Sequence, residues 1–164
     1  MTAYDAEPWH DFGVATAGAS AALVGLLFVA ISINLQTILS LRHVTGRAAY
    51  ALILLATPVL VSLAVLVPQE ATALGVELVV VAAVVGPALG WLSAPRHRRP
   101  ENPLAGWLGS VLVPALVVTG GLLLAGIGLI TTSLGGLAWM PVAIAVAVVA
   151  GLFNAWVLMI EIMR

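Results

Sequence analysis

A few polar side chains interrupt long apolar stretches of this sequence, and they are the residues that could carry chemistry. Glu77 is the only acidic residue well inside such a stretch, within ALGVELVVVAAVVG. There a carboxylate could bind a cation or a proton, or the carboxylates of several copies could line an ion path. Alternatively, apolar surroundings could keep the carboxyl group neutral and hydrogen-bonded to a hydroxyl such as that of Ser20 or Ser62.

Two asparagines lie near the ends of their apolar stretches, Asn34 in the first stretch and Asn154 in the last. Both are expected at a similar depth, on the side of the membrane opposite to Glu77. A hydrogen bond between them would join the first and last stretches and contribute about 0.6–2 kcal/mol. The same amides could instead line a path for a polar substrate. The candidates for a pore or an ion site are therefore Glu77, Asn34, Asn154, Ser20 and Ser62.

The residues needed for most intramembrane catalysis are missing from the apolar stretches. His10, His43 and His97 all lie outside them, and the chain has no cysteine. Haem ligation by paired histidines, a Ser–His or metal-dependent protease and an iron–sulfur cluster are therefore excluded within the stretches. Glu101 follows an arginine cluster without a second carboxylate beside it. We predict a protein without catalytic residues, metal or cofactor, and thus not an enzyme.

The composition excludes most soluble classes of protein. Of the 164 residues, 62% are hydrophobic and only 8% are charged, against about 25% charged in an average soluble domain. The mean hydropathy is +1.17 and the formal net charge is -1. A soluble enzyme, a nucleic-acid binder and a disordered chain do not fit these values. The composition predicts an integral membrane protein.

Breaks in the apolar runs predict an all-α, polytopic transmembrane bundle of five helices, formed by one domain over residues 1–164. Each run has about 20 residues or more, which is enough to cross roughly 30 Å of hydrocarbon. Helix is favoured because backbone groups in lipid must be satisfied within each segment. Pro58 and Pro114 lie in mid-span and are expected to kink their helices. The predicted spans are residues 12–39, 48–67, 71–92, 104–130 and 137–162.

The arginines predict the orientation of the chain. All six lie in the breaks at 40–47 and 94–103 or at the C-terminus, and lysine is absent. With five spans these three regions share one side, so the positive-inside rule places the N-terminus out and the C-terminus in, across a bacterial inner membrane. Arg96, Arg98 and Arg99 are expected to meet lipid head groups. Glu161 is expected to form an interfacial ion pair with nearby arginines.

Small residues follow one face of the first span. Gly18, Ala22, Gly25 and Ser32 recur at helical spacing, which allows the backbone of another helix to approach closely. That helix could belong to the same chain or to another protomer. A second group of glycines in the fourth span is also expected to pack closely, and it consists of Gly120, Gly121, Gly126 and Gly128.

Three stretches carry a family resemblance. GASAALVGLLFVAISIN at residues 18–34, ALGVEL at 73–78 and WVLMIEI at 156–162 resemble a family of small uncharacterised bacterial polytopic membrane proteins. Some members of that family are labelled modulators of the membrane protease FtsH. The resemblance implies a bacterial membrane location and a regulatory partner, and it assigns no functional residue.

Two classes of function fit these observations. The first is a small homo-oligomeric channel or transporter, in which symmetry supplies the pore and Glu77 or the polar positions of the first span line it. The second is a non-catalytic membrane interaction protein or regulator, which binds a membrane protease or another complex through small-residue faces. Both place the chain in the lipid bilayer, and the first requires self-association.

Overall fold

The computed structural model describes residues 5–40, 42–93 and 104–162, and over these residues the protein is helical without strands. Five helices in this part are long and apolar enough to cross a membrane, which confirms the predicted all-α bundle. The elements are a 3₁₀ turn at Glu7–Trp9, α1 at His10–Ile33, α2 at Leu35–Ser40, α3 at Arg42–Leu66, α4 at Ala71–Leu92, α5 at Leu104–Trp107, a π turn at Leu108–Leu112, α6 at Val113–Thr131, a second 3₁₀ turn at Gly136–Trp139 and α7 at Met140–Ile162.

The bounds differ from the predicted spans in three places. The first span is divided at Asn34, where α1 ends and α2 begins, so that it is not one helix. The break predicted at residues 40–47 is wrong in length, because α3 already begins at Arg42. The fourth span is likewise divided, by the π turn between α5 and α6. Of the predicted spans, the third has the bounds found for α4, Ala71–Leu92.

Four of the long helices form a closed bundle and the first lies outside it. α3 packs against α4 and α7, and α6 packs against α4 and α7, so the four surround a common core. The core consists almost entirely of leucine, valine and alanine side chains, with Leu54, Leu78 and Leu122 among those that are at most 1% exposed. α1 packs mainly against α3, and most of its surface stays exposed. The bundle interior is therefore mostly apolar, and α1 is a peripheral helix.

Glycines allow the closest approaches between helices of the bundle. A Cβ atom on Gly126 would lie 2.7 Å from the carbonyl oxygen of Gly75, and one on Gly75 would lie 2.8 Å from that of Gly126. The α4 and α6 backbones are thus in direct contact. Gly121 and Gly128 are also closely packed, as predicted, whereas Gly120 has no atom within 4 Å of its Cβ position. The prediction for Gly120 is wrong because no described helix comes close to its Cβ position.

The connection between α6 and α7 is a tight turn in the break between the predicted fourth and fifth spans. Thr132, Leu134 and Gly135 have φ angles of 48°, 56° and 85°. Such left-handed conformations end a helix abruptly and satisfy its last carbonyls. The Trp139 indole Nε1 donates a hydrogen bond to the Leu134 oxygen at 2.6 Å, which ties the turn to the start of the fifth span.

Candidate functional site

Glu77 lies on the outward surface of α4 and is exposed. Its partner is the side chain of Gln69, whose Nε2 donates to Glu77 Oε2 at 2.8 Å and to the Ala64 oxygen at 3.0 Å. Gln69 belongs to the turn between α3 and α4, so the carboxylate reaches back toward that end of the helix. The alternative considered from the sequence, a hydrogen bond to Ser20 or Ser62, is not made.

Ser20 and Ser62 are instead buried side chains, 1% and 0% exposed. Ser20 lies on α1 and Ser62 on α3, two helices that pack against each other. The Ser62 hydroxyl has no hydrogen-bond partner in the described part of the chain. Neither serine is open to solvent or lipid, so neither lines an accessible path in the single chain.

Asn34 caps its own helix. Its Nδ2 donates to the Ala30 oxygen at 2.9 Å, and its backbone dihedral angles leave the helical range where α1 ends. Ser32 likewise donates to the Phe28 oxygen at 2.8 Å. Both side chains satisfy the backbone of the turn before them, which is where α1 breaks. The predicted hydrogen bond between Asn34 and Asn154 is therefore absent.

Asn154 joins the fifth span to the fourth. It is fully buried, and its Nδ2 donates to the Ser110 oxygen in the π turn at 2.9 Å and to the Ala150 oxygen on its own helix at 2.9 Å. It lies eight residues before the end of α7, about 12 Å along the helix axis. Of the predicted pore candidates, Asn154 makes the only side-chain bond to another helix among the described residues.

Pro114 explains why the Ser110 carbonyl group is free to accept this bond. In a regular α-helix the amide of residue 114 would donate to Ser110, and proline has no amide hydrogen. Around this gap the helix forms a π turn, in which the Val113 amide donates to the Leu108 oxygen five residues back. In membrane helices such local π adjustments and side chains of neighbouring helices satisfy the groups that a proline leaves unpaired.

Tyr50 on α3 contributes a second side chain to the π turn. Its hydroxyl donates to the Val111 oxygen, and the Ser93 hydroxyl lies next to it. The oxygen Asn154 Oδ1 is buried without a hydrogen-bond partner in the described residues. The structure thus gathers a buried polar cluster around one turn of the fourth span. Of this cluster the sequence alone indicates only Asn154, although a proline four residues after Ser110 is a usable signal.

Glu161 forms the ion pair that the sequence predicts at this end of the bundle. Its Oε1 lies 3.2 Å from Arg47 Nη1, and the two side chains are 18% and 20% exposed. The pair joins α7 to the first turns of α3. The three arginines Arg96, Arg98 and Arg99, predicted to meet lipid head groups, lie outside the described residues.

The small-residue face of α1 has no partner among the described helices. Gly18, Ala22, Gly25 and Ser32 are all exposed, and the Cβ positions of Gly18 and Gly25 have no atom within 4 Å. Of the two partners considered for this face, a helix of the same chain is therefore excluded over the described residues. We call this face, from Gly18 to Ser32, the small face of α1.

A cavity of about 570 Å³ lies at the end of the bundle where α3 turns into α4. Its polar lining comes from Asp5, Glu7, His10 and Gln69. Among the described residues no group of three or more histidine or acidic side chains could hold a metal ion. Comparisons with models of known protein families, with curated proteins and with solved structures found no match.

Proposed function

We propose that this chain is a non-catalytic, self-associating protein of the bacterial inner membrane, which acts by helix–helix contact in the bilayer. The observation that carries the proposal is the small face of α1. This apolar helix lies outside the bundle, and its glycines have open space in front of them. Small residues on a membrane helix favour association, since they let two backbones come close enough for extensive van der Waals contact.

The interior of the bundle favours contact over conduction through a single chain. Its core is filled with leucine, valine and alanine, and Asn34 and Ser32 donate to their own helix backbone. Both side chains direct their hydrogen-bond donors to their own helix, and Ser32 lies on the exposed surface of α1 rather than in the bundle interior. A regulator of another membrane complex would be built in the same manner, in line with the family resemblance of the first span.

Cysteine cross-linking tests the association. Because the chain has no cysteine, Gly18→Cys and Gly25→Cys each introduce a single thiol on the small face of α1. In native membranes treated with an oxidant, we expect both variants to form disulfide-linked dimers. Two thiols can be joined only when their Cα atoms come within about 7 Å, so a dimer band on a non-reducing gel reports close packing of two α1 helices.

Two lipid-facing positions on other helices serve as matched controls. Val84 on α4 and Val149 on α7 are 67% and 68% exposed, and cysteines there should stay monomeric. Cross-linking at Val84 and Val149 as strong as at Gly18 and Gly25 would indicate random collision. In that case, or if neither glycine variant cross-links, self-association through α1 is wrong.

The exposed carboxylate of Glu77 favours a second function, a homo-oligomeric channel or transporter formed between copies. Glu77 faces outward from α4 with Gln69 as its partner, so a ring of copies could present several carboxylates to a shared path. We expect Glu77→Gln to lower cation flux into liposomes about tenfold or more, whereas Glu70→Gln, in the exposed turn, should not. Absence of flux with the unaltered protein, or equal flux in both variants, contradicts this function.

The N-terminus is proposed to face the outside and the C-terminus the cytoplasm. This orientation is supported by the placement of all six arginines on one side of a chain with five spans.

A further inference from the structure

The π turn of the fourth span depends on a donor from another helix. The Ser110 carbonyl group lacks its usual donor because Pro114 has no amide hydrogen. Asn154 Nδ2, from α7, donates to that oxygen at 2.9 Å. The Asn154 side-chain amide thus replaces the missing backbone amide of residue 114 as the donor to the Ser110 oxygen.

Regular helix geometry alone would favour a different register for this turn. The Val113 amide donates to Leu108, whereas in an α-helix it would donate to Gly109. π turns are rare and occur mostly where local strain or function maintains them. Here two side chains from neighbouring helices accompany the turn, Asn154 at the Ser110 oxygen and Tyr50 at the Val111 oxygen. Contacts between helices are therefore in place to maintain the observed register.

Asparagine at position 154 is also costly for the fold. Its Oδ1 is buried without a donor in the described part of the chain, and an unsatisfied polar atom in an apolar interior is unfavourable. A leucine of similar size would avoid that cost. The amide therefore has a compensating role, and among the described residues its hydrogen bond to another helix is the one to Ser110.

We propose that Asn154 is a positioning residue that replaces the amide missing at Pro114 and thereby holds residues 108–112 in the π register. Without this bond the turn relaxes to the α register. One residue of register corresponds to a rotation of about 100°, so α5 would turn by that angle relative to α6. The first part of the fourth span is thus a hinge whose position is set by one side chain.

A double-mutant cycle between Pro114→Ala and Asn154→Leu tests this role. The unfolding equilibrium is measured in detergent for the full chain and all four combinations. With Pro114 present, Asn154→Leu should lower the folding equilibrium constant about tenfold or more, because the Ser110 oxygen loses its donor. In the Pro114→Ala background, Asn154→Leu should lower the folding equilibrium constant less than about threefold, because the backbone amide restored at position 114 donates to the Ser110 oxygen.

If Asn154 only fills space, Asn154→Leu lowers the folding equilibrium constant equally with Pro114 and with Pro114→Ala. That result overturns the proposal. Asn154→Leu alone could fail to fold. In that case a double variant that folds supports the proposal, and a double variant that does not fold contradicts it. A second readout needs no change at position 154. In Pro114→Ala, the backbone amide gained at position 114 should be protected from hydrogen exchange, and rapid exchange at that amide would also overturn the proposal.

Discussion

Gly126→Leu is expected to separate α4 from α6 and to destabilise the bundle by about 3 kcal/mol or more. The reason is geometric, since even a Cβ atom at this position would lie 2.7 Å from the Gly75 oxygen and 3.1 Å from the Val79 nitrogen. Two of the three obstructing atoms belong to the backbone, so rotation of the Val79 side chain, whose Cγ2 would lie 2.8 Å away, does not relieve the contact. Unfolding in detergent, followed by the loss of helical circular dichroism, measures the effect.

Gly120→Leu is the matched control for this prediction. It introduces the same side chain six residues earlier on the same helix, at a position with no atom within 4 Å. We expect a change of stability within about 0.5 kcal/mol. Gly126→Ala should fall between the two leucine variants, because it adds only the Cβ atom. If Gly120→Leu and Gly126→Leu were equally stable, the close contact between α4 and α6 would not exist in the folded protein.

The helices could be predicted from the sequence because bilayer thickness imposes their length. A run of about 20 apolar residues has few alternatives to a spanning helix, and the α4 bounds agree with the predicted third span. The start of α3 could not be read in this way. The residues before the apolar run carry polar side chains, and a helix that leaves the membrane keeps its geometry after the hydropathy signal ends. Hydropathy therefore locates the membrane-embedded part of a helix and not its ends.

The polar residues were harder to interpret because depth along a helix does not specify which side the residue faces. The sequence offers Ser20 and Ser62 as hydrogen-bond partners for Glu77, yet Glu77 is exposed and both serines are buried. Asn34 and Asn154 share a depth but use their amides on different helices. Only the packing of the bundle decides the direction of each side chain, and single helices with apolar residues all round give little information about it.

The same packing changes the balance between the two classes of function. Placing an isolated polar group in an apolar span costs free energy. Judged from the sequence alone, such groups therefore favour a channel. In the folded chain Asn154 has a structural use for its amide, because it compensates for Pro114. Glu77 is then the remaining candidate among the predicted pore residues for an ion path between copies. The small face of α1 has no structural use within the described chain, which is why we place association first.

Breaking the Arg47–Glu161 pair is the other change with a large expected effect. Glu161→Ala leaves the Arg47 guanidinium about four-fifths buried without its counter-charge, and we expect a loss of about 2–3 kcal/mol in unfolding experiments in detergent. Asp11→Asn is the control, because the His10–Asp11 pair is highly exposed and should contribute nothing measurable. Exchanging the charges, with Arg47→Glu and Glu161→Arg together, should recover part of the loss, whereas either substitution alone should not. Since α3 and α7 are far apart in sequence, such recovery would establish that the two helices meet as described, and additive losses would contradict their contact.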